Sequence, residues 1–518
     1  MTSILQLIIP LAYAAFFIFL IHKMSFFKTE GITRTQFSLF FIIKIIAGTA
    51  LWWIYTFYYT NRESSDIYKY FDDSRLIFNE LYAHPSNYFR MLFGIADNSD
   101  EISKVYAQMN SWYKHYTDTT YTDSRLVIRF NALVALFSFG IYHVHTVFIC
   151  FLSLIGTTFV YKAFLSLLFN VKRIFALFIF LFPSLLFWSS GVLKEGILFF
   201  ALGCFVYCLI SYSTSANRKK IMVGFVVSIS LLLFLKIYVL LSLLPGILVY
   251  VWVKRYSKNV PLKYFASVVT LLLLFFTTAF LPEKYNPARI ICKKQTDFIN
   301  AAKGGIYLQK GDSLMYFDLL QKDSLIPAKE NKFFYVKAGT PYRSWEIHHR
   351  YDTVYVSSSA NSDSYKAIMN AEKAGSSIAV NRLEPNAKSI LMNAPAAIFN
   401  CLFRPLPGEA DSALMLMSSA ENIFMLLFII LVMVFRKKKT KIAFNEVYFC
   451  LFFILLLSAI SGLTTPILGA LVRYKIPALL FLFIAGLLVL DEQKLFALLS
   501  KARKKIFAKR GASATTTY

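Results

Sequence analysis

Charged residues are scarce in this chain, and acidic ones are the scarcest. Asp, Glu, Lys and Arg make up 16% of its 518 residues, against 57% hydrophobic and 17% aromatic residues. A water-soluble protein of that composition would have too little polar surface to cover itself. Most of the chain is therefore expected to lie inside a lipid bilayer.

Several catalytic and nucleotide-binding patterns are also missing. The chain has no Walker A sequence, no Rossmann glycine pattern, no Gly-x-Ser-x-Gly and no His-Glu-x-x-His. ATP-driven transport and serine or zinc hydrolysis thus lack their usual signals. The six cysteines do not form a disulfide framework, because four lie inside apolar runs. The other two, Cys292 and Cys401, lie in a predicted outer segment and could form one disulfide.

The basic residues that are present have an ordered placement. The formal net charge is +26, and many Lys and Arg fall in short segments between apolar runs, such as Lys172–Arg173, Arg218–Lys220 and Arg436–Lys441. That distribution is the positive-inside signal of a membrane protein, and it argues against a nucleic-acid surface. With every basic cluster inside, the N-terminus is expected outside and the C-terminus in the cytoplasm, as in a multi-pass protein of a bacterial inner membrane.

Eleven apolar runs are long enough to be spanning helices, and the predicted fold class is an all-α polytopic membrane bundle. The first run has no basic residues before it, so we expect a retained helix and not a cleaved signal peptide. The runs lie near 4–22, 36–59, 143–167, 173–190, 195–213, 220–236, 238–253, 264–281, 413–435, 446–463 and 476–490.

Two long segments are expected outside. The first, 60–142, shows amphipathic helical patterns at 65–82, 85–94 and 101–115, and Val127–Gly140 is expected to lie as a helix on the outer interface. The second, 282–412, is predicted to be a small α+β extracytoplasmic domain. Its strands are predicted at Ile306–Leu308, Ser313–Phe317, Phe333–Val336 and Thr353–Val356, and its helices at Asp363–Lys373 and Ala387–Leu402.

The predicted organisation therefore has five parts. They are an extra N-terminal helix and loop at 1–35, a transmembrane core at 36–281, the outer domain at 282–412, C-terminal transmembrane helices at 413–491 and a basic cytoplasmic tail at 492–518.

An acidic cluster follows the second apolar run. Asp66, Asp72 and Asp73 fall within eight residues and could act as general bases or as ligands of a hard cation. On a helix, Asp66 and Asp73 share one face and Asp72 points elsewhere. The alternative is a solvated amphipathic helix whose acids favour its N-terminal dipole.

Several ionisable residues are expected at the same outer face. Lys194 and Glu195 open an apolar run after Pro183 and Gly191, and serve either as interface anchors or in a headgroup site. Cations on the outer side run against the charge rule and need a partner, for which a lipid phosphate is suitable. The cations concerned are Lys236, Arg404, Arg473 and Lys475.

Two of these features resemble the GT-C superfamily of polyprenyl-phosphate-sugar-dependent glycosyltransferases, including its Rgt-like and PMT-like bacterial members. They are the carboxylate cluster in the first large outer loop and Arg473-Tyr-Lys475-Ile-Pro477, which is similar to an Arg-Tyr-Arg-Leu-Pro motif of bacterial members. The order of spans and loops is also similar, apart from the extra first span. One departure is that Ile67 follows Asp66, where the family has a second acid.

The resemblance implies transfer of a sugar from a polyprenyl-phosphate donor to a glycan, lipid or protein acceptor outside the cell. Asp66 would be the base or a metal ligand, supported by Asp72 or Asp73, and a divalent cation such as Mg²⁺ or Mn²⁺ would bind Asp66 and Asp73. Lys194, Glu195, Lys236, Arg404, Arg473 and Lys475 would bind the lipid phosphate or substrate. We expect Asp66, Lys194, Arg404 and Arg473 to converge on one cavity.

Two other classes of protein stay open at this point. A polysaccharide polymerase or O-antigen-ligase-like enzyme also has about a dozen spans and essential outer Arg residues, but does not require an early acid. A non-catalytic transporter or envelope-assembly protein is the other; transporters usually have polar residues at mid-membrane, and here Lys44 and Lys236 are the main charges inside spans.

Overall fold

The computed structural model describes most of the chain. The described residues are 3–59, 62, 65–95, 99–112, 123–212, 216–282, 285–303, 305–310, 313–319, 325–327, 334–336, 339, 341–344, 352–355, 366–371, 376–438, 442–498 and 500.

Helices account for most of these residues. In chain order they are α1 (Ser3–Lys23), α2 (Arg34–Trp53), α3 (Asp66–Ala83), α4 (Pro85–Phe93), α5 (Asp100–Ala107), α6 (Arg125–Ser138), α7 (Tyr142–Phe164), α8 (Lys172–Leu181), α9 (Pro183–Trp188), α10 (Lys194–Ser211), α11 (Arg218–Leu235), α12 (Ile237–Arg255), α13 (Val260–Thr277), α14 (Pro287–Lys303), α15 (Ala387–Phe403), α16 (Ala413–Val434), α17 (Phe444–Thr464), α18 (Leu468–Tyr474) and α19 (Ile476–Val489).

Eight helices of the described part are long and apolar enough to cross a membrane, and a ninth candidate is the pair α18 and α19, bent by 49°. Apolar side chains stay exposed along these helices, as Phe276 and Leu273 do on α13, and a lipid environment accounts for that exposure. The protein is therefore a helical, multi-pass membrane protein by its architecture.

The two remaining predicted spans differ from the expectation for identifiable reasons. The run 173–190 is divided at Pro183, which lacks an N–H and begins α9 after α8 ends at Leu181. The run 220–236 is part of α11, whose first turn carries Arg218, Lys219 and Lys220 and leaves a shorter apolar stretch. Eleven spans thus stay a prediction.

The centre of the bundle is the contact between α7 and α10. Gly156 and Gly203 lie where the two backbones meet, and a Cβ added at Gly203 would be 2.0 Å from the carbonyl oxygen of Gly156. Glycine permits this approach because it has no side chain. The close packing fixes the position of Lys194 and Glu195 at the start of α10.

The predicted helices after the second span are present as α3, α4, α5 and α6. Trp112 lies buried among them, stacked on Tyr106 with ring centroids 3.9 Å apart and covered by Arg125 and Arg129 at 5.0 and 5.1 Å. The helix predicted at Val127–Gly140 is present as α6, which ends at Ser138 before a left-handed turn at Phe139 and Gly140, and it packs on α3 and α7. The end of the predicted 101–115 helix lies outside the described residues, and α5 itself ends at Ala107.

Seven short strands form one antiparallel sheet between α14 and α15. They are β1 (Gly305–Lys310), β2 (Ser313–Leu319), β3 (Leu325–Pro327), β4 (Phe334–Val336), β5 (Pro341–Ser344), β6 (Asp352–Tyr355) and β7 (Lys366–Ala371). Their spatial order is β3-β4-β7-β1-β2-β5-β6, with Tyr307 of β1 between Tyr316 of β2 and Ile368 of β7.

The four predicted strands coincide with β1, β2, β4 and β6, while Phe333 and Val356 lie outside the described residues. The helix predicted at Asp363–Lys373 is wrong, because Lys366–Ala371 pairs with β1 as a strand and tertiary pairing overrides its helical composition. The disulfide left open between Cys292 and Cys401 is absent, since both thiols are free and lie in different hydrophobic clusters.

The α7–α10 contact gives a first prediction. Gly203→Ala should lower the stability of the protein by about 1–3 kcal/mol, because its methyl group would push two backbones apart. Gly408→Ala is the matched control, since a Cβ there meets no atom within 4 Å. Thermal unfolding of both variants in detergent checks this, and equal melting temperatures would contradict the packing described.

Candidate functional site

Distant parts of the chain bring ionisable side chains together at one end of the helix bundle. Three are acidic and three are basic, so their formal charges balance. We call this set the ionic network, and it consists of Asp66, Asp123, Lys194, Glu195, Lys236 and Arg473.

Arg473 is the residue that joins α3, which follows the second span, to the spanning helix α10. Its Nη1 donates to Oδ2 of Asp66 at 2.9 Å, and its Nη2 approaches Oε1 and Oε2 of Glu195 at 3.3 and 3.2 Å. The guanidinium also lies 5.1 Å from the ring of Trp188. One planar cation therefore holds two carboxylates from helices far apart in the sequence.

Lys236 closes the inner side of the network. Its Nζ donates to Oε1 of Glu195 at 3.1 Å and lies 4.6 Å from the ring centroid of Tyr474. The side chains of Glu195 and Lys236 are only 1% and 4% exposed. Charges buried this deeply persist only when paired, so Glu195 is the electrostatic centre that two cations share.

Lys194 and Asp123 form the outer pair, with Nζ and Oδ2 2.9 Å apart. The Lys194 ammonium is also 5.4 Å from the ring of Tyr70. Asp123 is a residue that sequence reasoning missed. It precedes α6 in a polar stretch with no distinctive spacing, and only the fold brings it to the start of α10.

The positions of three of these residues at helix ends favour their charges. Asp66 and Glu195 stand in the first turns of α3 and α10, where the positive end of the helix dipole favours a carboxylate. Arg473 stands in the last turn of α18, where a cation is favoured. Lys236 lies at the break between α11 and α12.

Exposure increases from one side of the network to the other. Asp66 and Asp123 have side chains 38% and 31% exposed, Arg473 and Lys194 have 14% and 10%, and the Glu195 pair is buried. A molecule from outside therefore meets the two aspartates first, with the cations directly behind them.

Two buried polar atoms beside the network have no hydrogen-bond partner among the described residues. They are Nε of Arg473 and the hydroxyl of Tyr238, whose ring is 6.0 Å from that of Tyr474. Buried donors are usually satisfied. These two donors are therefore available to an oxygen-rich ligand that enters the network.

The charge state of Asp66 is set by its neighbours. Burial alone raises its pKa, but the positive charges of Arg473 and Lys194 and the hydrogen bond from Arg473 outweigh burial and hold the pKa below its usual value. Asp66 is thus a carboxylate at neutral pH for as long as Arg473 stays paired with it.

The other two acids of the predicted cluster have different partners. Asp72 forms an ion pair with Arg62, its Oδ2 accepting from Nε at 3.0 Å. Asp73 is 1% exposed and accepts from the backbone N–H groups of Asn110 and Ser111 at 2.9 and 2.8 Å. It shares the face of Asp66 but lies two turns, or about 10 Å, further along α3.

Arg404 and Lys475 form a second group of contacts. The Arg404 side chain binds Glu409, with Nε 2.8 Å from Oε1. Lys475 is buried and donates to the carbonyl of Arg404 at 2.9 Å and to Oδ1 of Asn422 at 2.6 Å. The structure therefore brings Asp66, Lys194 and Arg473 together, while Arg404 pairs elsewhere.

The predicted divalent cation is not supported by a set of protein ligands. No three His, Cys, Asp or Glu side chains of the described residues are grouped as a metal site requires. Arg473 engages one oxygen of Asp66, and backbone N–H groups engage both oxygens of Asp73. Since the two residues are also about 10 Å apart along α3, they do not fit a shared ion.

No family model, no curated protein and no solved structure matches this chain. Its chemistry is therefore argued from the ionic network itself.

The buried centre of the network gives a stability prediction. Glu195→Ala should destabilise the protein by about 3–5 kcal/mol, because Arg473 and Lys236 would be left without the carboxylate that they share. Asp72→Ala is the control and should change stability by less than about 1 kcal/mol, since its pair with Arg62 is at the surface. Thermal unfolding measures the stability of both variants. A loss of stability in Glu195→Ala as small as that in Asp72→Ala would contradict the role of Glu195 as the shared partner of the two cations.

Asp73 gives a pH prediction. Burial raises its pKa from 3.8 to about 6, although two backbone N–H groups oppose the rise. The folded state therefore holds a proton that the unfolded chain releases, and stability falls as the pH rises from 3.8 through about 6. Asp73→Asn should remove this slope from the melting temperature plotted against pH. An unchanged slope would show that another group titrates.

Proposed function

We propose that this protein is an integral-membrane glycosyltransferase that moves a sugar from a polyprenyl-phosphate donor to an acceptor on the extracytoplasmic face. The observation that carries the proposal is the contact of Asp66 with Arg473, 407 positions apart in the sequence. An acid and a cation at one place are what transfer from a lipid phosphate requires.

The equal number of positive and negative groups in the ionic network determines which contacts the donor phosphate would have to replace. The network holds three positive and three negative groups, so an incoming phosphate must compete with a carboxylate for its cations. The aspartates are the replaceable partners, because they are the more exposed carboxylates of the network, whereas Glu195 is buried and shared by two cations. Phosphate on Arg473 and Lys194 would then release Asp66, and Lys236 would keep Glu195 neutralised.

This exchange would also prepare the base. Paired with Arg473, Asp66 has a lowered pKa and is a weak proton acceptor. Once the donor phosphate takes the guanidinium, the pKa of Asp66 rises towards its ordinary value and the carboxylate turns to the acceptor hydroxyl. Asp66 would accept the hydroxyl proton as the oxygen attacks the anomeric carbon and the phosphate leaves.

The cations have separate tasks in this account. Arg473 and Lys194 would bind the phosphate oxygens and stabilise the charge that builds on them as the glycosidic bond breaks. Glu195 and Lys236 would be positioning residues, because they are buried and touch Arg473 or each other. Arg404 and Lys475 would shape the wall beside α18 through the carbonyl of Arg404.

The alternatives are less well supported. A polymerase or O-antigen-ligase-like enzyme has no need for an acid in the first outer segment, yet here Asp66 and Asp123 are the accessible part of the network. A transporter is expected to place charges at mid-membrane. Lys44 does lie inside α2, but it is buried and donates to Oγ of Ser189 at 2.7 Å, which is a structural contact.

The predicted donor, acceptor and membrane belong to the same proposal. A polyprenyl chain requires apolar surface next to the network, which the exposed apolar helices supply. The basic clusters support the proposed orientation in a bacterial inner membrane, with the N-terminus outside and the C-terminus in the cytoplasm. The described residues do not fit the predicted Mg²⁺ or Mn²⁺, so the proposed transfer depends on Asp66 and the cationic side chains alone.

The test uses purified protein in liposomes with radiolabelled polyprenyl-phosphate sugars and a delipidated envelope extract as acceptor. Asp66→Asn should lower transfer by about 10²- to 10⁴-fold, because the amide cannot accept the proton. Asp72→Asn is the matched control, a neighbouring acid on another face of α3, and should keep its activity.

Arg473 distinguishes donor binding from proton transfer. Arg473→Lys should raise the KM for the donor more than it lowers kcat, since one ammonium replaces a fork that holds two anions. Full activity of Asp66→Asn in a folded protein, or a donor KM unchanged in Arg473→Lys, would overturn the proposed function.

A further inference from the structure

A cavity lies at the other end of the bundle from the ionic network. It has a volume of about 600 Å³ and is bounded by the end of α10, the start of α11 and the end of α12. α10 has 18 residues and is about 27 Å long, close to the thickness of a bilayer core, with Lys194 of the network at its start and Leu209 of the cavity near its end.

The wall of the cavity is apolar. Leu209, Ile221, Phe225 and Ile247 line its interior. A cavity of this size and character is in the range that accommodates a small apolar ligand. Met222 and Val251 also line it and are 47% and 54% exposed, so the cavity opens sideways towards the surrounding lipid.

Cations stand at the mouth. Arg218 at the start of α11 and Arg255 at the end of α12 both line the cavity and are exposed. Lys254 lies beside them, 5.0 Å from the ring of Tyr250 and within 3.5 Å of the carbonyl of Ile210. The nearby carboxylate of Glu446 accepts from Tyr250 at 3.3 Å.

We infer that this cavity binds one anionic glycerophospholipid of the leaflet at the basic end, with its phosphate on Arg218 and Arg255 and its acyl chain in the apolar interior. Charge complementarity decides the occupant. Basic pockets between spanning helices are suited to anionic headgroups, and this leaflet is the one that positive residues mark as cytoplasmic. The inference does not depend on the proposed glycosyl transfer.

The occupant would also have a structural effect. It would fill the space between α11 and α12 at the end away from Lys236, where the chain connects the two helices. Lipid in the cavity is therefore expected to raise the unfolding temperature of the protein.

The test compares the full chain in nanodiscs of phosphatidylcholine with and without phosphatidylglycerol, and counts retained lipid by native mass spectrometry. Arg218→Gln combined with Arg255→Gln should weaken phosphatidylglycerol binding by roughly 25-fold, at about fivefold for each cation near an anionic headgroup. Lys220→Gln combined with Lys258→Gln is the matched control, because it removes the same charge at this end from residues that do not line the cavity.

A second variant distinguishes binding of the lipid's acyl chain from binding of its headgroup. Met222→Trp keeps the cations but places a bulkier ring at the lateral opening of the cavity, and it should weaken retention of phosphatidylglycerol and reduce the increase in unfolding temperature. Equal loss in the control pair would reduce the effect to general surface charge and overturn the inference. Retention of phosphatidylcholine alone, or displacement of phosphatidylglycerol by a small amount of polyprenyl phosphate, would also overturn it.

Discussion

The structure depends on one guanidinium shared by two carboxylates. Arg473 binds Asp66 of the first outer segment and Glu195 of a central spanning helix, so a single side chain fixes α3, α10 and α18 relative to one another. Lys236 makes the arrangement electrostatically possible, because without it the buried Glu195 would rely on Arg473 alone. In the proposed function, the exposed half of the network would exchange partners while its buried half stays intact.

The sequence predicts this site in part. Asp66, Lys194, Glu195, Lys236 and Arg473 could be selected because ionisable residues at the ends of apolar runs are unusual and need partners. Their pairing could not be deduced, since it depends on how α18 bends before α19. Asp72, Asp73 and Arg404 were also candidates by residue type, yet each is engaged by other partners: Arg62, the backbone of Asn110 and Ser111, and Glu409. Asp123 gave no signal, because its position follows from the fold.

The fold also divides into features that the local sequence predicts and features that depend on distant parts of the chain. Eight of the eleven predicted spans are single helices of spanning length among the described residues, since hydrophobic length is a local property. Where proline or a basic turn interrupts a run, as at Pro183 and Arg218, length alone does not decide whether the segment crosses. The strand Lys366–Ala371 was mistaken for a helix because its partners in the sheet are distant in sequence.

The most direct test of the account is an experimental structure in a lipid nanodisc with a non-hydrolysable polyprenyl-phosphate sugar. We expect the phosphate within hydrogen-bond distance of Arg473 and Lys194, with the Asp66 carboxylate released from Arg473 and facing the anomeric carbon. A phosphate bound away from the ionic network, with Asp66 still paired to Arg473, would contradict the central claim.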